Sequence, residues 1–200
     1  MKIKILVLLF LFSANITIGQ KKVAEHKGPK IPLVEYFSYK YNYDKPKVIP
    51  KDVYFKDING DLNPFLGTWK GVYKNKNYEF VVVKKSKYFG DMLMDVLEMR
   101  YKITDTSGNV ILNILDFSSL SPLVIDGSFL ALDKKDYVFR YRGYEIECGQ
   151  AGTVTFAKVL NNPNKMRISL NAEGMYPTCP LPVEVEQILP VGAGAILIKQ

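Results

Sequence analysis

Histidine and cysteine, the side chains most readily turned to proton transfer and nucleophilic attack near neutral pH, number one and two in this 200-residue chain. His26 is the only imidazole, in a Lys-rich stretch close to the N-terminus. A Ser-His-Asp or Cys-His site needs its base held firmly against the nucleophile, which that position does not favour. Two carboxylate pairs have workable spacing, Asp91 with Asp95 and Glu145 with Glu147. The second pair would share one face of a strand, about 7 Å apart. Glycosidase chemistry uses such pairs, but a solvated strand face is the plainer account. Asp57-Ile58-Asn59-Gly60-Asp61 opens like a calcium loop, yet Leu62 stands where Gly is required and Thr68 where Glu is required. A turn whose side chains cap their own backbone is expected instead. The glycines of Val191–Ala195 lack the Lys-Ser/Thr of a phosphate loop. One His and two Cys fall short of the roughly four ligands of a structural zinc site. The expectation is no catalytic residue, no metal and no cofactor.

The first residues read as an address. Lys2 and Lys4 precede an apolar run from Ile5 to Phe12, followed by small and polar residues up to Gly19. This is the three-part pattern of a secretory signal peptide over 1–19, with Gln20 as the new first residue. The run is too short for a bilayer span, which takes about 20 residues. No Cys lies near the cut, so neither a membrane span nor a lipid anchor is expected. A secreted or periplasmic location gives the two cysteines a meaning. Cys148 and Cys179 are the only pair, and an oxidising compartment makes a disulfide the expected state. Closing a loop of about thirty residues should stabilise by about 3–4 kcal/mol.

Charge divides the mature chain into an arm, 20–60, and a body, 61–200. The arm holds nine Lys against five acids, and the body is nearly neutral. A domain-wide basic footprint for nucleic acid is therefore absent. Pro29, Pro32, Pro46 and Pro50 favour extended or turn backbone in the arm. Phe37, Tyr39, Tyr41 and Tyr43 alternate with polar residues, which predicts a strand laid along a sheet edge. A loose basic-aromatic segment contacting a partner is the alternative.

The body shows eight or nine short alternating runs at hairpin spacing. Leu97, Met99, Tyr101 and Ile103 oppose Glu98, Arg100 and Lys102; Tyr137, Phe139 and Tyr141 oppose Val138, Arg140 and Arg142. Turn signals such as Asp105–Asn109, Asp133–Asp136 and Asn161–Asn164 separate them. Asp91–Met99 could form a helical turn; no other segment has a helical period. Strands in this order, without helices between them, argue for an antiparallel up-and-down barrel.

Leu66-Gly67-Thr68-Trp69-Lys70-Gly71 contains Gly-x-Trp with the chain's single Trp, after the compact turn Asp57–Pro64. This resembles the start of lipocalin-like barrels, in which such a Trp plugs the closed end behind a short helical turn. The late-strand Arg that packs over that Trp, and the family's long C-terminal helix, are not identifiable. Asn63–Gly71, Ala195–Gln200, Lys56–Asn59 and the leader ending at Gln20 also resemble the DUF6705 family of exported Bacteroidota proteins. That resemblance implies envelope provenance and no activity.

The fold expected is an all-β, lipocalin-like antiparallel barrel with an extended N-terminal arm. The function expected is non-catalytic binding of a small, partly apolar ligand in the barrel mouth. Met99, Tyr101, Tyr137, Phe139 and Tyr141 are the candidate lining, because a barrel interior takes every second residue; in a filled barrel they are core. The alternative is an interaction module for an envelope protein, using the arm.

Overall fold

The computed structural model of the chain describes residues 26–41, 47–143, 150–174 and 187–200. The barrel wall contains β3 (Gly67–Tyr73), β4 (Lys76–Phe89), β5 (Met92–Asp105), β7 (Ile125–Leu130), β8 (Asp136–Arg142), β9 (Ala151–Val159), β10 (Asn162–Ala172) and β11 (Ala195–Lys199). Each pairs antiparallel with the next in chain order. The ring closes where Ile198 and Lys199 of β11 face Lys70 and Trp69 of β3. This is the expected closed, antiparallel, eight-stranded barrel. The tight β3–β4 turn rests on Lys74 and Asn75, both at positive φ (43° and 59°). Such a turn follows the twist of its flanking strands.

Among the described residues three strands lie off the ring: β1 (Lys30–Pro32), β2 (Tyr54–Lys56) and β6 (Val110–Asn113). The fourteen residues of β5 pair along one edge with β4 throughout. Along the other edge β5 is shared. Leu93 and Met94 pair parallel with β2, Glu98 and Met99 with β7, and Lys102 to Thr104 with β6. The arm thus adds two parallel pairings, because β1 also runs parallel to β2.

Over Phe37, Tyr39 and Tyr41 the expected strand is a helix; Tyr43 lies outside the described residues. A 3-10 turn, Leu33–Glu35, runs into α1 (Tyr36–Tyr41). The alternation from Phe37 onward concealed a spacing of three, Leu33, Tyr36 and Tyr39, which puts those side chains on one helical face. Tyr36 and Tyr39 both meet the ring of Phe55, at 5.2 and 5.5 Å, and Phe37 meets Phe129 at 5.5 Å. These aromatics therefore pack on the outside of the chain's own barrel. The start of the described arm is pinned too. His26 Nε2 lies 2.7 Å from the Asp52 carbonyl, and a Cβ on Gly28 would stand 1.5 Å from that same oxygen. Only glycine fits there.

The helical turn considered for Asp91–Met99 is strand. The segment lacks alternation because both of its faces are covered: from Leu93 to Met99 every residue is buried. A strand buried on both faces reads as a continuous run.

Trp69, near the start of β3, has no exposed surface. Its indole N–H donates to the Phe65 carbonyl at 3.0 Å, within the 3-10 turn Asn63–Phe65 that precedes β3. The Phe156 ring meets it edge-on at 5.6 Å. Lys199 Nζ lies 5.2 Å from the centre of the indole. A late-strand cation, Lys199 of β11, thus lies over the indole.

Candidate functional site

The five residues expected to line the mouth all point into the barrel, and each is at most 2% exposed. Their rings meet other rings: Tyr101 with Phe80 at 6.0 Å, Tyr137 with Phe139 at 4.8 Å, and Phe139 with Phe156 at 6.5 Å. Met99 is fully buried opposite Val82 and Ile125. Tyr137 Oη accepts the Leu97 backbone N–H at 3.0 Å, and burial pushes its phenol well above the ordinary value. At the other end Leu189, fully buried, joins the same core, and Tyr78 donates to the Ile188 carbonyl at 2.9 Å. Packed aromatic contacts of this kind stabilise a core. Cys148 and Cys179, with Glu145 and Glu147, lie outside the described residues.

The other singled-out polar groups are engaged in holding the fold. Asp57 uses its carboxylate on the Leu62 N–H (3.4 Å) and on Lys84 Nζ (3.1 Å), as a self-capped turn does. Asp95 is buried and accepts three hydrogen bonds, from Tyr54 Oη at 2.8 Å, Ser86 Oγ at 2.7 Å and the Asp57 N–H at 2.9 Å. Burial, with the Asp95 charge adding to it, raises the Tyr54 phenol above its ordinary value despite the Ser86 contact. This cluster ties β2 and the segment after it to the β4–β5 hairpin. Buried carboxylates need such partners to stay charged.

A second network lies on the outer wall and was not anticipated. Glu98 alternates outward on β5, yet its side chain has no exposed surface. Arg100 Nη1 meets it at 2.8 Å, Lys87 Nζ at 3.3 Å and Ser119 Oγ at 3.0 Å. Burial pushes the Glu98 carboxyl up, but the Ser119 and Lys87 hydrogen bonds and the charges of Arg100 and Lys87 outweigh it. The net result is a pKa below the ordinary carboxylate value. Arg100 Nε also donates to the Phe117 carbonyl at 2.9 Å. Lys87 additionally pairs with Asp126. The network therefore fastens the loop between β6 and β7 onto the wall.

That loop, α1 and the outer face of β7–β8 enclose a cleft of about 450 Å3. Tyr36, Phe89, Met94 and Leu120 supply apolar lining, and Arg140 and Arg142 border it. The outward direction of both arginines was legible from their alternation with Tyr137, Phe139 and Tyr141. The loop and helix that wall them in come from distant sequence and left no local signal. No family model matches the chain, and comparison with characterised proteins and with solved structures likewise returns no match.

Proposed function

We propose that this is an exported, non-catalytic barrel that binds a small, partly apolar ligand, and that the ligand sits in the outer-wall cleft rather than in the barrel mouth. One observation carries the reading. The cleft has the volume of a small-molecule site and an apolar lining with a few polar groups, while the five interior candidates are buried and Tyr101, Tyr137 and Phe139 are packed against neighbouring rings. Absence of catalysis rests on the commitments of the acidic and basic groups. The single imidazole is engaged with Asp52, and Asp57, Asp95 and Glu98 hold structural hydrogen bonds. The leader-like N-terminus and the envelope-family resemblance support export. An arm-mediated protein contact is less favoured, because Tyr36, Phe37 and Tyr39 already dock on the barrel.

Native mass spectrometry of protein purified from its own envelope tests the reading. A retained small molecule, lost from a Met94→Trp variant that fills the cleft, is the expected result. Retention in that variant but loss on Tyr101→Ala would return the site to the interior.

A further inference from the structure

Arg140 and Arg142 stand two apart on β8, so their side chains leave the same face about 7 Å from each other. Among the described residues neither guanidinium has an ion pair or side-chain hydrogen bond. Each carries a planar set of donors that matches carboxylate or phosphate oxygens two at a time. A third cation, Lys40 of α1, borders the same cleft, with its ammonium 5.7 Å from the centre of the Tyr36 ring. Among the described residues lining the cleft the one acid, Asp126, is 58% exposed and already ion-paired with Lys87. Among those described lining residues, cations outnumber acids. Tyr36, Met94 and Leu120 add apolar surface to the same cleft.

Resting on the cleft reading above, we infer that the ligand is a soluble single-chain amphiphile with an anionic head. The head is held by the Arg140–Arg142 pair, and the apolar chain lies over Tyr36 and Met94. The low-dielectric wall strengthens the ionic contact, since charges beside apolar surface are less screened than in open water. Neither arginine is used to hold the described part of the fold, so replacing them leaves the barrel intact.

The test uses the full mature chain and calorimetric titration with octyl phosphate, octanol and inorganic phosphate. Octyl phosphate should bind more tightly than either octanol or phosphate alone. The R140Q/R142Q variant, with an unchanged circular dichroism spectrum, should lose at least about tenfold in octyl phosphate affinity, the low end for charged hydrogen bonds. Its octanol affinity should be unchanged. Equal binding of octanol and octyl phosphate, with no response to R140Q/R142Q, would overturn the anionic head while leaving the cleft reading in place. No binding of any probe would overturn both. Octyl phosphate binding that answers to Tyr101→Ala and not to the arginines would overturn the location. A dimer that dissociates in R140Q/R142Q would make the cleft a self-interface and overturn the small-ligand inference.

Discussion

Glu98→Gln is the most informative single change, because it keeps side-chain shape and removes one charge from the outer-wall network. The carboxylate meets Arg100 at 2.8 Å, Lys87 at 3.3 Å and Ser119 at 3.0 Å. A hydrogen bond to a charged group is worth about 1.5–3 kcal/mol, and removing one member of a fully buried pair costs about 3–5 kcal/mol. Here Lys87 and Arg100 keep 26% and 15% of their side-chain surface in water, and Lys87 retains Asp126. Solvent screens what is left, so the expected loss is about 2–3 kcal/mol. The pH dependence has a defined sign. The folded pKa of Glu98 lies below the ordinary 4.5. Its contribution is therefore complete above the unfolded value and disappears as pH falls through the lower folded one. Urea unfolding at pH 7, repeated along an acid series to about pH 3, reads this directly. The gap between parent and variant should narrow in acid, and amide exchange across 117–124 should rise in the variant at neutral pH. Equal stability at pH 7, or a gap that stays constant into acid, would refute the reasoning.

Three further outcomes concern the core, a crowded glycine and the cysteine pair. Trp69→Ala should cost about 3–5 kcal/mol by calorimetry, and the parent's lone Trp should emit at the short wavelengths of a buried indole. Gly127→Ala should lose about 1–3 kcal/mol in urea melts, because its Cβ would stand 2.3 Å from the Leu97 carbonyl and 2.4 Å from Tyr137 Oη. Thiol labelling of the unfolded, unreduced mature protein should find no free thiol on Cys148 or Cys179; two labels per chain would dismiss the disulfide.

The barrel was legible because alternation survives wherever one face of a strand meets water. Leu97 to Ile103, Tyr137 to Arg142 and Met166 to Asn171 show it, and each lies in a wall strand. It failed where tertiary cover erased the contrast, as over Leu93–Val96, buried on both faces. It misled in the arm, where counting from Phe37 omitted Leu33 and Tyr36 and converted a spacing of three into a spacing of two. The wall cleft combines α1, the β6–β7 loop and β8, drawn from three separate parts of the sequence. Only the outward direction of Arg140 and Arg142 could be read locally. Lys199 was equally distant from Trp69 in sequence, and only ring closure brings them into register.

Closure by β11 also sets an order of events during folding. The contact between Trp69 and Lys199 spans nearly the whole barrel sequence. By contrast, the β3–β4 and β4–β5 hairpins are local. Local hairpins form in about 1–10 μs, whereas non-local β pairings must first overcome the entropy of a long closed loop. The hairpins from β3 to β5 can therefore assemble while the seam stays open, leaving Trp69 without its lysine cover. On a ribosome, the ring cannot be sealed until residue 199 has arrived. Up to that moment β3 keeps an unsatisfied edge, exposed to pairing with other chains.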